Sequence, residues 1–186
     1  PSHTIGSFVS SSHSVTVVSP SDAASNEEFS IYVSVTDKVG NSYEVIEINI
    51  DESCKKNETP EDYVKRISIE KARQGKLQAK SNFSILAADT AVAVDNVVLG
   101  KANCSDDAHS MLEKLSGRTH YVLTAVTVIN KIERTRVNIS RVVFKKLTES
   151  EINSYCKTME PIGKAGGYAI QGKGARFIDK LEGSYS

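Results

Sequence analysis

The stretch that decides the fold of this chain reads Phe83-Ser-Ile-Leu-Ala-Ala-Asp89-Thr90-Ala-Val-Ala-Val-Asp95-Asn96-Val-Val-Leu-Gly-Lys101. It starts as an uncharged apolar run with the length of a β-strand. Two residues of the kind found in tight turns, Asp95 and Asn96, separate it from a second apolar run. The pattern predicts a β-hairpin. Asp89 and Thr90 stand at the end of the first strand, and an isolated acid there is a first candidate for function.

Length and composition bound the class of protein. The chain has 186 residues, 39% hydrophobic and 25% charged, which predicts one globular domain with a sizeable core. Lys and Arg number 23 and Asp and Glu number 23, so net charge gives no argument for a nucleic-acid or anionic membrane partner. Three cysteines without CxxC spacing fit a reducing compartment. The first Lys or Arg is Lys38, and no apolar run approaches the ~18 residues of a spanning helix, so we expect a cytoplasmic protein.

The N-terminal part differs in composition from the rest. Serine supplies eleven of the first 34 positions. Short apolar runs at 8–9, 15–18 and 29–35 permit strands, and the same composition also permits a flexible leader. We therefore predict a divergent Ser-rich segment at residues 1–41, followed by one domain at residues 42–186.

Two elements are predicted just before the hairpin. Ile46, Ile48 and Ile50 alternate with polar residues, which predicts a half-buried strand that ends at Asp51-Glu52. A helix should then begin with Thr59 as its N-cap and Pro60 in its first turn, and run to about Gly75.

Lys71 has an unusual position on that helix. It follows Tyr63 and Ile67 at intervals of four residues, so it continues the apolar face, whereas Lys65 and Arg66 fall on the solvated face. A lysine that extends past the end of a buried stripe explains this position without function. An ammonium group directed into a cleft also explains it.

After the hairpin the sequence predicts a short helix capped by Ser105 and ended by Gly117, antiparallel strands at 119–129 and 134–144, and a helix begun by the capping box Thr148-Glu-Ser-Glu151. A Gly-rich segment follows at 163–178. It matches neither GxxxxGK[ST] nor a GxGxxG between a strand and a helix, so tight turns are its simplest explanation.

Several chemistries are disfavoured by the residues themselves. The chain has no Gly-x-Ser-x-Gly elbow, and its isolated histidines, His109 and His120, are poor metal-site candidates. What remains is a set of carboxylates at strand ends, Asp51, Glu52 and Asp89, and of lysines at helix or hairpin positions, Lys71 and Lys101. Carboxylates can hold a hard cation and activate water, and lysines neutralise phosphate oxygens, so this set suits hydrolysis of a phosphoanhydride. Ordinary surface charge is the alternative explanation.

The chain resembles the Maf family of nucleoside triphosphate pyrophosphatases over about residues 42–186. The resemblance is carried by the order and spacing of several blocks: Tyr43-Glu-Val-Ile, Ile50-Asp-Glu-Ser, Glu58-Thr-Pro-Glu-Asp-Tyr-Val, Glu70-Lys-Ala, Ala88-Asp-Thr, Leu99-Gly-Lys, Leu115-Ser-Gly-Arg-Thr-His, 144–155, Lys164-Ala-Gly-Gly-Tyr-Ala-Ile-Gln-Gly and Glu182-Gly-Ser-Tyr-Ser.

This resemblance implies an α/β fold with a mixed twisted sheet, flanking helices and a cleft between two lobes, like the inosine triphosphate pyrophosphatases. It implies cleavage of a nucleoside triphosphate to a monophosphate and pyrophosphate with a divalent cation, Mg²⁺ or Mn²⁺. Carried over by motif, Asp89 corresponds to the proton acceptor and a metal ligand, Glu52 to a metal-binding or supporting carboxylate, and Lys71 and Lys101 to phosphate-contacting residues.

The same resemblance implies a branch and a specificity. Ala-Asp-Thr at 88–90 and Ile-Gln-Gly at 170–172 are similar to the branch that acts on dTTP, UTP and modified pyrimidine nucleotides. The branch that acts on 7-methyl-GTP is the alternative. Thr90 and Gln171 are the implied residues of base selection, because a hydroxyl and an amide can hydrogen-bond to a pyrimidine edge. The family also suggests a homodimer.

The chain departs from the family pattern in its first 41 residues. Family members begin with a strand and a Ser-x-Ser-Pro-Arg-Arg loop that binds the triphosphate, whereas the first arginine here is Arg66. An altered start and a genuine divergent segment both explain the difference. Loss of two charged hydrogen bonds, at roughly 1.5 to 3 kcal/mol each, would lower catalytic efficiency by about 10²- to 10⁴-fold. The alternative to a pyrophosphatase is therefore a catalytically weak member that binds nucleotide or a division-related partner.

Overall fold

The computed structural model describes residues 3–10, 13–19, 32–37, 46–79 and 84–185. Near the N-terminus it contains β1 (His3–Ser10), β2 (His13–Ser19) and β3 (Tyr32–Asp37), which form an antiparallel sheet in that order. The predicted strands at 8–9 and 15–18 fall within β1 and β2. Residues 29–31 and the predicted boundary between residues 41 and 42 lie outside the described residues.

The larger sheet has five strands, in the order β5-β4-β6-β7-β8. Their bounds are β4 (Ile85–Val94), β5 (Val97–Leu99), β6 (Thr119–Ile129), β7 (Glu133–Phe144) and β8 (Ile178–Glu182). Every pair of neighbouring strands in this sheet is antiparallel. The expectation of an α/β fold is confirmed, although the only parallel pairing between described residues of this region is an isolated bridge, Ala102 with Ile162.

The hairpin predicted from the opening stretch is formed by β4 and β5. Its turn residues Asp95 and Asn96 have φ values of 50° and 64°, the left-handed backbone that a two-residue hairpin turn favours. The placement of Asp89 and Thr90 at the end of the first strand was wrong: β4 continues through both residues to Val94, because they and the residues after them pair with β6. β4 begins at Ile85, while Phe83 lies outside the described residues.

Three α-helices flank the sheet in the described part of the chain: α1 (Pro60–Gln78), α2 (Ser105–Leu115) and α3 (Glu149–Cys156). Thr59 caps α1 as predicted, and the capping box of α3 is complete between Thr148 and Glu151. The predicted cap of α2 was wrong by one residue. Cys104 is the N-cap, because its Sγ accepts the Asp107 N–H at 3.5 Å and Ser105 is already helical. None of the helices in the described part is long and apolar enough to cross a bilayer.

The sheet separates two apolar cores. On one face α1 packs against β4 and β6, and the buried residues are Val64, Ala91, Ala93, Leu123 and Ala125. The other face is covered by α2, α3 and a 3-10 helix, Lys173–Phe177, with large buried side chains at Leu112, Phe144, Tyr155 and Phe177. β4 therefore lies between both cores: Ala91 and Ala93 are buried in one, and Val92 and Val94 in the other.

The strand predicted at residues 46–50 was wrong. These residues alternate between half-buried and exposed as expected, but they have no regular secondary structure and belong to no strand ladder of the described residues. Ile48, one of the half-buried residues, lies close to α1: a Cβ added at Gly75 of that helix would lie 3.9 Å from Ile48 Cδ1. The segment leads directly into Glu52.

Candidate active site

The cleft lies along an edge of β4 that β5 covers only in part. β5 pairs with Val92, Ala93 and Val94, so the edge at Asp89 to Ala91 is beyond its reach. A cleft of about 270 Å³ opens there, lined by Glu52, Tyr63, Asp89, Thr90, Ala91, Val98, Leu99, Gly100, Lys101, Asn103 and Ala165. Its lining therefore combines four of the six site residues expected from the sequence with an apolar wall.

Lys71 joins the two candidate carboxylates. Its Nζ lies 2.9 Å from Asp89 Oδ1 and 2.6 Å from Glu52 Oε1. On the far side of Glu52, Lys101 Nζ lies 3.1 Å from Oε2. The structure thus connects Asp89, Lys71, Glu52 and Lys101 in one chain of alternating charge, drawn from β4, α1, an irregular segment and the end of the hairpin.

Burial and charge act in opposite directions on this chain. Burial raises the pKa of Asp89 above its usual value, and the neighbouring Lys71 opposes that rise only in part. Burial by itself would lower the pKa of Lys71, but Asp89 and Glu52 outweigh it and the pKa is raised. Glu52 is more exposed; despite its burial, its two lysines lower its pKa. The result is a lysine held firmly protonated beside a carboxylate that binds a proton more readily than an ordinary aspartate.

The two residues implied for base selection are placed differently. Thr90 lines the cleft, is exposed, and its Oγ1 lies 3.0 Å from Thr124 Oγ1 on β6. Gln171 is not among the residues that line the cleft; its Nε2 donates to the Tyr185 carbonyl at 3.3 Å.

The Gly-rich segment forms part of the cleft wall. Lys101 is bridged to Ala165, the Gly163 N–H donates to Ala102 O at 2.8 Å, and the Gly166 N–H donates to Gly100 O at 3.1 Å. Its glycines make tight turns, as the sequence suggested, and these turns bring it against the chain that follows β5. Gly166 also packs closely on Val92, which places the backbone of the segment directly against β4.

Sequence reasoning gave no role to two polar residues of the lining, Tyr63 and Asn103. Tyr63 was placed on the same face of α1 as Lys71, and that spacing was the signal that it would share the cleft. Asn103 follows the hairpin with no pattern that could have marked it. A further expectation needs correction: Arg66 is not on a solvated face, since its side chain is 14% exposed and pairs with Glu58.

The donor set of the cleft fits a hard divalent cation. Glu52 and Asp89 both lie within 2.9 Å of Lys71 Nζ, so two carboxylates face one small volume, and Mg²⁺ is commonly held by one or two carboxylates together with substrate oxygens. Elsewhere in the described residues, His109, Glu113 and Glu149 also converge. There the glutamates face different ring nitrogens, Nδ1 and Nε2, which is the geometry of an ion-paired histidine linking α2 to α3.

The fold and the cleft define an α/β protein with a partly buried site of paired carboxylates and lysines. The sequence model of the family described as Maf-like protein matches residues 34–186. The chain belongs to this family, which confirms the resemblance noted from its motifs.

Curated relatives match most of the chain. A protein named dTTP/UTP pyrophosphatase from Alkalilimnicola ehrlichii is 43% identical over 155 residues, covering 81% of this chain and 77% of the relative. A protein of the same name from Cupriavidus pinatubonensis is 46% identical over 134 residues, 69% of this chain and 67% of the relative. A nucleoside triphosphate pyrophosphatase from Xylella fastidiosa is 41% identical over 148 residues, 77% of this chain and 78% of the relative.

Proposed function

We propose that this chain is a nucleoside triphosphate pyrophosphatase that hydrolyses dTTP, UTP or modified pyrimidine nucleoside triphosphates to the monophosphate and pyrophosphate. The observation that carries the proposal is the bridge from Asp89 through Lys71 and Glu52 to Lys101, with contacts of 2.9, 2.6 and 3.1 Å. The names of the relatives supply the reaction and the substrates. Residues 42–186 are the proposed catalytic domain.

In this proposal Asp89 takes the proton of the attacking water. Its carboxylate is 5% exposed, and its raised pKa brings it closer to that of an effective base near neutral pH. As the water oxygen bonds to phosphorus, the bond between the α and β phosphates breaks and the electron pair leaves on the pyrophosphate oxygen. Asp89 then holds the proton at one carboxylate oxygen.

Lys71 and Lys101 have a different role, which is to neutralise phosphate oxygens. Carboxylates hold both ammonium groups in position before the substrate binds. In the transition state these groups pair with the negative charge on the phosphate oxygens. Glu52 and Asp89 would hold the divalent cation, Mg²⁺ or Mn²⁺, which when bound polarises phosphate oxygens and lowers the pKa of water.

Base selection is assigned to Thr90 and Gln171. Thr90 is supported by its exposed hydroxyl in the cleft lining. Gln171 would have to exchange its hydrogen bond to Tyr185 for one to the base. The 7-methyl-GTP and regulatory-module alternatives are not favoured, because the relatives described above are named as pyrophosphatases of dTTP and UTP or of nucleoside triphosphates. A homodimer and a cytoplasmic location stay predictions.

The test is pyrophosphate release from a panel of nucleoside triphosphates with Mg²⁺ or Mn²⁺, comparing the wild type with Asp89→Asn. Asparagine keeps the shape of the side chain but accepts no proton, so we expect kcat to fall by about 10²- to 10⁴-fold. Asp95→Asn is the matched control, because Asp95 is an exposed acid in the turn of the same hairpin.

The panel also decides the substrate. Faster turnover of dTTP and UTP than of purine nucleotides, including 7-methyl-GTP, supports the proposal. Equal rates for wild type and Asp89→Asn would remove Asp89 from the role of base, and a wild type that turns over none of the nucleotides would overturn the proposed function.

A further inference from the structure

Glu52 makes two of the three ionic contacts in the cleft, yet it lies in a segment without regular secondary structure. Its two carboxylate oxygens contact two different lysines, at 2.6 Å and 3.1 Å, so a small displacement of its backbone would break at least one contact. A segment without helix or strand hydrogen bonds needs contacts from other elements to hold such a geometry. The surrounding contacts show what holds it.

Two side chains of α1 bind consecutive carbonyl groups of this segment. The Tyr63 hydroxyl donates to Glu52 O at 3.0 Å, and Arg66 Nη2 donates to Ser53 O at 2.9 Å. Residues three apart lie on one side of a helix, so both donors reach the segment together. Within the segment, Asp51 Oδ1 accepts the Ser53 N–H at 2.9 Å and closes a local turn.

Arg66 is itself held in place. Its Nε and Nη2 donate to the two oxygens of Glu58 at 2.6 Å and 2.8 Å, a two-point pairing that fixes the guanidinium plane. The side chains of Arg66 and Glu58 are 14% and 8% exposed, so the pair is largely shielded from water. Glu58 also accepts the Lys55 N–H at 2.9 Å, which ties the far end of the segment to the same pair.

We propose that Tyr63 and Arg66 are positioning residues that hold Glu52 between Lys71 and Lys101, acting on its backbone rather than on the substrate. The expected effect on catalysis rests on the proposed function. The expected effect on the Glu52 segment rests on the contacts alone. We call this arrangement the α1 clamp: Tyr63 and Arg66 of α1 bind the backbone of the Glu52 segment, and Glu58 fixes Arg66.

Tyr63 is suited to this role by its surroundings. A tyrosine hydroxyl is a hydrogen-bond donor at neutral pH, and that of Tyr63 reaches the Glu52 carbonyl at 3.0 Å. Its ring lines the cleft, whereas its hydroxyl contacts the backbone of Glu52. Tyr63→Phe therefore removes the clamp contact and keeps the cleft wall.

The structural consequence is tested by amide hydrogen exchange in the nucleotide-free protein. In Tyr63→Phe and in Arg66→Lys, which keeps the charge beside Glu58, the amides of residues 51–55 should exchange at least several times faster. Exchange within β4 should not change. Tyr121→Phe and Arg73→Lys are the matched controls, because Tyr121 is exposed on β6 and Arg73 is an exposed residue of α1 paired with Glu133.

The kinetic consequence is tested by a double-mutant cycle on pyrophosphate release. Tyr63→Phe should lower kcat/KM by roughly tenfold, which corresponds to ~1.4 kcal/mol. In the Glu52→Gln variant, Tyr63→Phe should lower kcat/KM only slightly further, because a residue that acts through the Glu52 carboxylate loses its effect when that carboxylate is gone. If Tyr63 had only a structural role, Tyr63→Phe would lower kcat/KM by the same factor in the wild type and in Glu52→Gln.

Each outcome has one meaning. Unchanged exchange at 51–55 would overturn the clamp, and faster exchange with fully additive kinetic losses would overturn the route through Glu52. If the wild type releases no pyrophosphate, the proposed function fails, while the exchange rates still decide whether the clamp exists.

Discussion

Lys71 shows what a single residue gains from its surroundings. Its spacing on α1 was compatible with a lysine at the end of an apolar stripe or with an ammonium group in a cleft. Its side chain is 13% exposed and contacts both Asp89 and Glu52. An unpaired ammonium group buried to this extent would be costly, and the two carboxylates offset that cost and keep it charged.

The hydroxyl of Thr90 should determine the preference for pyrimidine nucleotides. Thr90→Val keeps the shape and the strand preference of the residue but removes the hydroxyl that is proposed to bind the base. We expect kcat/KM for dTTP and UTP to fall about tenfold relative to GTP, since one lost hydrogen bond that leaves a buried polar group unpaired costs roughly 1 to 3 kcal/mol. The measurement is the ratio of kcat/KM values for the pyrimidine and purine nucleotides.

Thr124→Val is the control for that experiment. It removes the same inter-strand contact, Thr90 Oγ1 to Thr124 Oγ1, and leaves the Thr90 hydroxyl in the cleft. An equal loss of selectivity in both variants would assign the effect to the contact between the strands and contradict direct reading of the base.

At the scale of elements, β4 and the Gly-rich segment depend on each other. β4 carries Asp89 and packs on both cores, and the Gly-rich segment presses against its far end at Val92. Gly166 has φ +66°, and a Cβ there would lie 2.8 Å from Val92 Cγ1. Neither the backbone angle nor the space admits a side chain, so the sequence needs glycine at this position for two independent reasons.

Gly166→Ala should therefore destabilise the protein. A left-handed backbone costs a residue with Cβ about 1 to 2 kcal/mol and overpacking adds about 1 to 3 kcal/mol, so we expect a loss of about 2 to 5 kcal/mol in the free energy of unfolding. Urea unfolding measures it. Gly100→Ala is the control, because a Cβ at Gly100 meets nothing within 4 Å, and a similar loss in both variants would contradict this account.

At the scale of the whole molecule, His120 makes stability depend on pH. It belongs to β6 and its side chain is fully buried in the core; its Nε2 lies 2.7 Å from the Tyr168 hydroxyl, and its Nδ1 has no hydrogen-bond partner among the described residues. Burial lowers its pKa from 6.5 to about 4. Between these values the unfolded chain takes up a proton that the folded protein does not, so acidification favours unfolding and stability rises with pH through this window.

The prediction compares urea unfolding at pH 7.5 and pH 5. His120 alone should cost the wild type about 2 kcal/mol at pH 5 relative to pH 7.5. His120→Gln keeps a polar group beside Tyr168 and does not titrate, so its loss between the two pH values should be smaller by about that amount. Identical pH dependence of wild type and variant would show that His120 is not the group responsible.

Much of the fold was predictable because its signals are local. Asp95-Asn96 fixes a hairpin turn through backbone preference, Thr59-Pro60 begins α1, and the capping box at Thr148 begins α3. The segment at 46–50 was not predictable in the same way, since alternation of apolar residues reports burial and cannot report whether a pairing strand is present. The predicted N-cap of α2 was wrong because the Cys104 thiol accepts the hydrogen bond that the Ser105 hydroxyl was expected to accept.

Local sequence patterns were sufficient for the hairpin, the starts of α1 and α3 and the types of side chain available, and the motifs indicated the family. The folded structure was needed to see that Asp89, Lys71, Glu52 and Lys101 form one chain of ionic contacts, that Gln171 lies outside the cleft lining, and that side chains of α1 bind the Glu52 segment. The difference lies in the sequence separation of the residues that make each contact. Caps, turns and periodicity are set by neighbours within a few residues, whereas the contact between Lys101 and Glu52 joins positions whose proximity is fixed only when the sheet and α1 have packed.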